Sequence, residues 1–487
     1  MAKALEWING IVWGTPTLLL ILGVGLYISI RTRFVQLRLF PRAVKHFFYM
    51  LREKPKDGVS SMQALCTALA ATVGTGNIAG VAGAIAIGGP GAIFWMWLCA
   101  FVGMAIKFAE ATLAVRCRVL ENGEYVGGPM YMIVNAMDRK WHWLAVVYAF
   151  FGVVAAFGVG NATQVNAVIT GVNEAIRSFG GTPTPEGNVL LGILLAIAVT
   201  VMLLGGAKRI GIIAERLVPF GALGYLVIGF GALIARFDAI PAAFLAIFKG
   251  AFSPDAVTGG VLGSAFIALR TGVSRGVFTN EAGMGTASIA HAGAEVEHPT
   301  DQGLMGIMEV FLDTIVICTM TALVILVSGV PIPYGTDTGA ALTAAAFEAV
   351  CGGWTSLFLA AALCCFAFAT ILGWGLYGAR CAQFLFGPSA WKKFVLLQAV
   401  VVVAGAVLET GTVWLLSETV NGLMAIPNLI VLAALSKELC RLINGGTYEN
   451  FNQRQPLRAL SHAEIPPSGC QSQGVRQENL SSEYRSA

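Results

Sequence analysis

ALAATVGTGNIAGVAGA, residues 68–84, places Gly74, Thr75, Gly76 and Asn77 in the middle of an apolar segment. Glycine weakens a helix by about 1 kcal/mol relative to alanine, and polar side chains are costly in hydrocarbon. Irregular backbone at membrane depth is tolerated only where it is buried in protein or lines a cavity. We therefore predict that a membrane-spanning helix is interrupted here, next to a cavity or an interior packing site.

The composition assigns the chain to the polytopic membrane proteins. Of its 487 residues, 56% are hydrophobic and 12% are charged, whereas soluble domains carry about 25% charged residues. The first apolar run follows MAKALEWING and ends without a small-residue cleavage site, so we expect no cleavable signal peptide. The ten cysteines lack the spacing of zinc or haem sites and are expected to be small core residues.

Eleven segments are apolar enough to span a bilayer, which takes about 20 residues. They are 11–30, 62–88, 91–115, 143–176, 189–204, 211–235, 257–290, 303–328, 354–386, 393–409 and 412–436. The sequence thus predicts an all-α membrane domain over residues 1–445. Beyond residue 446 the chain becomes polar and rich in Gln and Ser, and we expect a disordered cytoplasmic tail over 446–487.

Basic residues orient the predicted spans, because loops rich in Lys and Arg stay on the cytoplasmic side. The first loop carries eight of them: Arg31, Arg33, Arg38, Arg42, Lys45, Arg52, Lys54 and Lys56. Alternation then predicts an N-terminus outside and a C-terminus inside. The loop HAGAEVEHPTDQ, residues 291–302, is acidic on the predicted inner side, but acidic residues count little in this rule.

A second interruption lies five spans after the first, in LRTGVSRGVFTNEAGMG, residues 269–285. Two sets of five spans then begin on opposite sides of the membrane, repeat one over about 62–235 and repeat two over about 257–436. This arrangement is typical of transporters with inverted repeats and discontinuous helices.

The two breaks together suggest a binding site. Half-helix N-termini bind anionic groups and freed carbonyls bind cations, so our hypothesis is that both breaks meet at the bilayer midplane around a substrate and a coupling ion. The alternative is that small residues, such as Gly76 and Gly80, only allow helices to pack closely.

Four stretches resemble the alanine or glycine:cation symporter family: VGTGNIAGVAGAIAIGGPGAIFWMW (73–97), GMAIKFAEATLAVR (103–116), GGPMYM (127–132) and GVSRGVFTNEAGMGTA (272–287). The resemblance covers about residues 10–445. It implies the fold of the amino acid-polyamine-organocation superfamily, a five-plus-five inverted repeat preceded here by one extra helix. It also implies sodium-coupled uptake of alanine or glycine by alternating access across a bacterial plasma membrane.

The resemblance implies a substrate site at the two breaks. The amides of Thr75 and Gly76 would hold the carboxylate, and carbonyls around Thr271 and Gly272 would hold the ammonium. Gln164 in span four lies where the fold closes over substrate, with a helix–helix hydrogen bond as the alternative role. Trp374 in span nine would wall the pocket and leave room for little more than a methyl group; the alternative is packing against lipid or another helix.

The resemblance also implies where sodium binds. The carbonyls of Ala70 and Val73 would face one sodium site, and the Thr72 carbonyl with the Asn77 side chain would face a second. Thr370 is four residues from Trp374 on the same helix face, and it is a further candidate sodium ligand because sodium favours oxygen ligands. The expected partners are alanine or glycine, sodium and the lipid bilayer, with the oligomeric state left open.

Ionisable residues within predicted spans have several possible roles. Lys107 and Glu110 are three apart and are expected to pair as a structural element. Arg275 and Glu281 form either a gate or a structural pair. Glu309 and Asp313 lie four apart on one helix face, where they are either an acid pair or counter-charges for arginines, the candidates being Arg270, Arg275 and Arg380.

Two other functions follow from these carboxylates. The same fold driven by protons needs a titrating carboxylate, and Glu281, Glu309 or Asp313 is the candidate. An intramembrane enzyme with Glu309 and Asp313 as its acid pair is a remote alternative. We find no nucleophile with a positioned base, the histidines are expected in or beside loops, and GTGNIAG matches no nucleotide-binding motif. The sequence therefore favours a transporter over an enzyme and predicts no nucleic-acid partner.

Overall fold

The computed structural model describes residues 2–52, 58–253, 265–336, 339–407 and 411–445, and these are almost entirely helical. One compact unit extends over Met1–Gln453. The predicted tail, 446–487, lies outside the described residues, as does the beginning of the predicted seventh span, 257–264.

The helices up to residue 235 are Ala2–Val12, Thr15–Arg31, Val35–Arg38, Phe40–Met50, Ser61–Thr72, Val81–Gly88, Gly91–Cys117, Pro129–Ala136, His142–Phe157, Thr163–Ser178, Pro185–Leu203 and Gly206–Ala235. The later described helices are Ile240–Phe252, Ala265–Asn280, Thr286–Ala292, Pro299–Val310, Thr319–Val327, Ala340–Cys351, Trp354–Phe386, Ala390–Gly405, Gly411–Ala434 and Ser436–Ile443. Short 3₁₀ turns occur at Arg139–Trp141 and Phe237–Ala239. An antiparallel hairpin pairs Val119–Glu121 with Glu124–Val126.

Seven helices in the described part of the chain are long and apolar enough to cross a bilayer, or nine when each of two bent pairs counts as one span. The sequence predicts eleven spans, two more than these nine. Two predicted spans are not counted: the seventh, whose first residues lie outside the described part of the chain, and the tenth, where the helix Ala390–Gly405 has 16 residues. Further helices occupy predicted loops, among them Phe40–Met50, Ile240–Phe252 and Ala340–Cys351.

The first interruption lies at Val73–Thr75, in agreement with the sequence. The helix Ser61–Thr72 ends there, the axis bends by 53°, and the chain resumes as the π-helical turn Gly76–Gly80. A π turn changes the backbone hydrogen-bond pattern, and Thr343 Oγ1 donates to the Ile78 carbonyl at 2.9 Å. The helix Ala340–Cys351 thus satisfies a polar group that the break places in the protein interior.

The second interruption lies at Glu281–Gly285, the C-terminal end of the predicted stretch 269–285. The helix Ala265–Asn280 continues through Thr271 and Gly272. A Cβ at Gly272 would overlap the Ala92 carbonyl, so this glycine serves close helix packing and not unwinding. The break itself has positive φ at Glu281 (51°), Gly283 (95°) and Gly285 (77°).

Candidate functional site

A small cavity lies between the two breaks. Five elements contribute to it, and most of its lining carries polar groups. The lining residues are Ala71, Thr72, Gly74, Thr75, Gly76, Val159, Gln164, Phe278, Glu281, Thr370, Trp374 and Asn421. The structure therefore brings residues of both interrupted helices together around one cavity.

The first break contributes the beginning of a half-helix to this cavity. The first N–H groups of a helix have no partner within it, so those of Thr75 and Gly76 are available at the cavity. The N–H of Gly74 is instead held by Asn77 Oδ1 at 2.8 Å. A Cβ at Gly76 would lie 3.1 Å from Thr279 Cγ2, which shows how closely the helix before the second break approaches.

The second break contributes Phe278 and Glu281, and not the predicted Thr271 and Gly272. Thr271 lies instead beside Gly88, at the far end of the half-helix from the cavity. The Glu281 side chain is buried in left-handed backbone, where Oε2 accepts a hydrogen bond from Thr286 Oγ1 at 2.6 Å. Its other oxygen, Oε1, accepts one from Trp374 Nε1 at 3.1 Å.

The Trp374 indole is fully buried and lines the cavity, so it does not pack against lipid. A Cβ at Gly160 would overlap Trp374 Cβ. Gly160 belongs to the π-helical turn Gly158–Ala162, and its missing side chain lets Trp374 pack against the fourth span. Tyr377 meets the indole edge-on at 5.8 Å. These contacts fix the position of the indole.

Two buried amide oxygens at the cavity have no hydrogen-bond partner among the described residues. They are Gln164 Oε1 and Asn421 Oδ1. Gln164 Nε2 donates to the Val159 carbonyl at 3.1 Å on the same helix, and not to another helix. A buried polar atom without a partner is unusual in proteins, so a donor from a ligand is the natural complement of these oxygens.

Of the predicted sodium ligands, the structure brings Thr370 and Ala70 together. Thr370 Oγ1 is 2.9 Å from the Ala70 carbonyl and 3.0 Å from the Phe366 carbonyl. Thr370 is buried and lies at the cavity wall beside Gly74. Val73 lies at the first break, shortly after Ala70 in the chain. This arrangement of neutral oxygens has the chemistry that sodium favours.

Asn77 has a structural role that the sequence did not indicate. Its Nδ2 donates to Asp313 Oδ1 at 2.7 Å and to the Asp313 carbonyl at 3.2 Å. Thr72 Oγ1 is bound to carbonyls of its own helix, including that of Ala68 at 3.3 Å. Asn77 therefore ties the first break to the π-helical turn Phe311–Cys318 of the eighth span. A second sodium site at Thr72 and Asn77 stays a prediction.

The expected pair Lys107–Glu110 does not form, because both residues bind groups distant in sequence. Lys107 Nζ is 2.8 Å from Glu309 Oε1, and both side chains are buried. His291 binds Glu309 Oε2 at 2.9 Å and Gln302 at 2.6 Å, so this residue in the last turn of the helix Thr286–Ala292 is buried in the interior.

Glu110 binds the backbone of the second break. Its Oε1 accepts hydrogen bonds from the N–H groups of Gly283 (3.0 Å) and Gly285 (3.1 Å), and from Asn428 Nδ2 at 2.7 Å. A single carboxylate oxygen thus satisfies two backbone donors that unwinding leaves exposed in the interior.

The remaining expectations for charged residues are also corrected. Glu309 and Asp313 do not form an acid pair, since Glu309 binds Lys107 and His291 while Asp313 binds Asn77 and Thr314. They are not counter-charges for Arg380 either, which pairs with Glu124 of the hairpin. Glu281 binds Thr286 and Trp374, and it forms no ion pair with Arg275 in the described structure.

Four cavity residues were not identified from the sequence: Ala71, Val159, Phe278 and Asn421. Asn421 had a detectable signal, because an amide in the middle of an apolar segment (SETVNGLM) needs a partner. Val159 and Phe278 are apolar residues among many others, and no local pattern distinguishes them.

Comparison with known proteins gives a consistent result. The model of the family described as "Sodium:alanine symporter family" matches residues 1–459. The chain is 44% identical over 437 residues to "Sodium/alanine symporter AgcS" of Methanococcus maripaludis, which covers 88% of this chain and 93% of that protein. It is 37% identical over 421 residues to "Amino-acid carrier protein AlsT" of Bacillus subtilis, covering 86% of each chain.

The fold is also similar to that of a solved structure. The crystal structure of MhsT in complex with L-phenylalanine superimposes with a TM-score of 0.55 at 13% sequence identity, over 81% of this chain and all of that one. At this identity the likeness shows the fold alone. It agrees with the architecture that the sequence predicts.

Proposed function

Since the chain belongs to the sodium:alanine symporter family, we propose that it carries alanine and glycine into the cell together with sodium. It is a multi-pass membrane transporter and not an enzyme, so the remote alternative of an acid-pair enzyme is wrong. The observation that carries the proposal is the cavity enclosed by the two broken helices, with Thr370 and the Ala70 carbonyl at its edge.

The polar groups of the cavity match a zwitterion. The N–H groups of Thr75 and Gly76 begin a half-helix, whose positive end favours the substrate carboxylate. Glu281 and the Gln164 amide oxygen provide acceptors for the substrate ammonium. Glu281 takes the role that the sequence assigned to carbonyls around Thr271 and Gly272.

The size of the accepted side chain is set by apolar walls. Trp374 and Phe278 lie beside the polar groups, and the bonds of the indole to Glu281 and its packing on Gly160 hold it in place. A rigid indole leaves room for the hydrogen of glycine or the methyl group of alanine. Larger side chains require the indole to move.

Sodium binds, in this proposal, at the carbonyls of Ala70 and Val73 and the hydroxyl of Thr370. The free energy suffices for accumulation. One cation moving inward through about 100 mV releases about 2.3 kcal/mol, and a tenfold concentration gradient adds about 1.4 kcal/mol. Together they support an accumulation of a neutral zwitterion on the order of several hundredfold.

We further propose that the N-terminus is outside and the C-terminus is cytoplasmic, in the plasma membrane. Support comes from the concentration of arginine and lysine in the first loop. The predicted repeats, 62–235 and 257–436, would then start on opposite sides of the bilayer, which is the arrangement that alternating access requires.

Uptake of labelled alanine into sealed proteoliposomes tests the proposal. An inward sodium gradient and an inward proton gradient are imposed separately, each at the same membrane potential. Accumulation with sodium alone is the expected result. Accumulation with protons alone contradicts it and favours the same fold with a titrating carboxylate, for which Glu281 is the candidate at the cavity.

A further inference from the structure

A second cavity shares no lining residue with the cavity between the two breaks. It is lined by Arg38, Leu39, Arg42, Thr300, Leu304 and Ile443. These residues come from the first loop, from the beginning of the helix Pro299–Val310, and from the helix Ser436–Ile443. The cavity combines two guanidinium groups with three apolar side chains.

We propose that this cavity binds the phosphate head group of an anionic phospholipid. Arginine is suited to this ligand, because its planar fork of donors matches phosphate oxygens and can bind two at once. Basic pockets between membrane helices bind acidic lipid head groups elsewhere. The leucine and isoleucine side chains of the cavity then contact the glycerol and the first methylenes of the acyl chains.

The two arginines retain donors for a ligand. In the described structure, Arg38 Nη2 donates to the Thr32 carbonyl at 3.4 Å, and Arg42 Nη2 lies 3.3 Å from Asp301 Oδ1. Each guanidinium has five N–H donors, so single contacts position the side chains and leave most donors for phosphate. The Arg42–Asp301 pair is solvent-exposed on its arginine side (65%), and such pairs contribute little stability that a phosphate has to displace.

The surrounding surface favours a lipid over a dissolved anion. Leu37, Phe48 and Tyr49 are 60%, 59% and 64% exposed, although they neighbour the arginines in sequence. A helix such as Phe40–Met50, with exposed apolar and aromatic side chains beside basic residues, is typical of a segment that lies in the membrane interface. The arginines are thus at the depth where lipid phosphates are found.

Binding at this site would connect three elements that are distant in sequence. The helix Pro299–Val310 continues to Glu309, which holds Lys107. A phospholipid bridging Arg38, Arg42 and the region around Ile443 therefore stabilises the packing of these elements. We expect an anionic lipid to raise the melting temperature of the protein more than a zwitterionic lipid does.

The test compares the full chain with two double variants that lose the same charge. R38Q/R42Q removes the guanidinium groups of the cavity, and K45Q/R52Q removes two exposed basic residues of the same segment that do not line it. Native mass spectrometry in detergent measures the dissociation constant of the first bound phosphatidylglycerol, with phosphatidylcholine of identical chains and inorganic phosphate as comparisons.

We expect the full chain to bind phosphatidylglycerol more tightly than phosphatidylcholine. R38Q/R42Q should weaken phosphatidylglycerol binding by about tenfold or more, because it removes charge-assisted hydrogen bonds to the phosphate. K45Q/R52Q should weaken this binding by less than about twofold. Three results would overturn the proposal. They are equal affinity for the two lipids, equal weakening of binding in both variants, and displacement of the lipid by inorganic phosphate at equal concentration.

A second measurement does not depend on the folding of a variant. Photoactivatable phosphatidylglycerol is crosslinked to the unaltered protein, and the labelled peptides are identified by mass spectrometry. The proposal is supported by labels at Leu39, Thr300, Leu304 or Ile443. Competition with unlabelled phosphatidylglycerol should suppress these labels, and competition with phosphatidylcholine should not. Labels distributed without preference for these residues contradict it.

Discussion

The indole Nε1 of Trp374 donates a hydrogen bond to Glu281 Oε1 at 3.1 Å, and this bond joins two walls of the cavity between the broken helices. One wall belongs to the long helix Trp354–Phe386 and the other to the break at Glu281–Gly285. Trp374, proposed to select the substrate side chain, is therefore hydrogen-bonded to Glu281, proposed to bind the substrate ammonium. Changing either residue has a distinct expected effect.

Glu281→Gln removes the charge and preserves the shape and an acceptor for Trp374. We expect the KM for alanine to rise by about tenfold or more, since a hydrogen bond to a charged group contributes about 1.5–3 kcal/mol. The sodium concentration for half-maximal uptake should change little. Uptake kinetics in proteoliposomes measure both quantities. The exposed Glu297→Gln is the matched control, and an unchanged KM in Glu281→Gln argues against an ammonium partner at this position.

Trp374→Phe removes the indole donor and shortens the wall. We expect serine and threonine to become substrates, with their kcat/KM relative to alanine rising by about tenfold, the scale of one methylene in a pocket. Competition assays with labelled alanine measure this selectivity. Trp391→Phe is the control, because Trp391 Nε1 binds the Leu203 carbonyl at 3.1 Å and does not line the cavity. Unchanged selectivity in Trp374→Phe would remove the indole from the proposed specificity wall.

The first break could be located from the sequence because its signal is local. Gly74, Thr75 and Gly76 are consecutive residues that weaken a helix, and the chain departs from a regular helix at Val73–Thr75. The predicted second break, within 269–285, wrongly included Thr271 and Gly272, which give the same local signal for another reason. Gly272 allows the backbone of Ala92 to approach, which depends on a helix far away in sequence.

The charge pairs show the same limit of local reasoning. Lys107 and Glu110 are close enough in sequence to pair, yet Lys107 binds Glu309, 202 residues away. Glu110 binds the N–H groups of Gly283 and Gly285, whose need for a partner exists only after the chain unwinds. Such partners depend on how spans three, seven and eight pack against one another. The spacing of residues within one span does not specify that packing.

Thr370→Val tests the proposed sodium site by removing one hydroxyl at nearly constant volume. Thr370 Oγ1 lies within hydrogen-bond distance of the Ala70 carbonyl. We expect the sodium concentration for half-maximal uptake to rise by about tenfold, the equivalent of about 1.4 kcal/mol, at saturating alanine. Thr370→Ser keeps the oxygen and should stay near the original value. Equal effects of valine and serine would contradict a sodium ligand at the hydroxyl, because serine keeps that oxygen and valine does not.

The pair Lys107–Glu309 predicts a coupled effect on stability. Glu309→Gln leaves the buried Lys107 without its carboxylate partner, and we expect a loss of about 3–5 kcal/mol in folding free energy, as measured for broken buried pairs. Adding Lys107→Met removes the unpaired charge, while the glutamine can still bind His291. The double variant should therefore recover much of this loss, which thermal unfolding of the purified protein in detergent measures as a recovered Tm.

The matched control is Lys140→Met with Asp138→Asn, an ion pair at 3.7 Å whose side chains are 72% and 79% exposed. Exposed pairs contribute about 0–1 kcal/mol, so little change is expected there. Strict additivity of the Lys107 and Glu309 effects contradicts a direct interaction, because residues in contact give a coupling energy of about 0.5–3 kcal/mol in such cycles. Coupling at Lys107–Glu309 alone would identify this buried pair as a specific stabilising contact between the third and eighth spans.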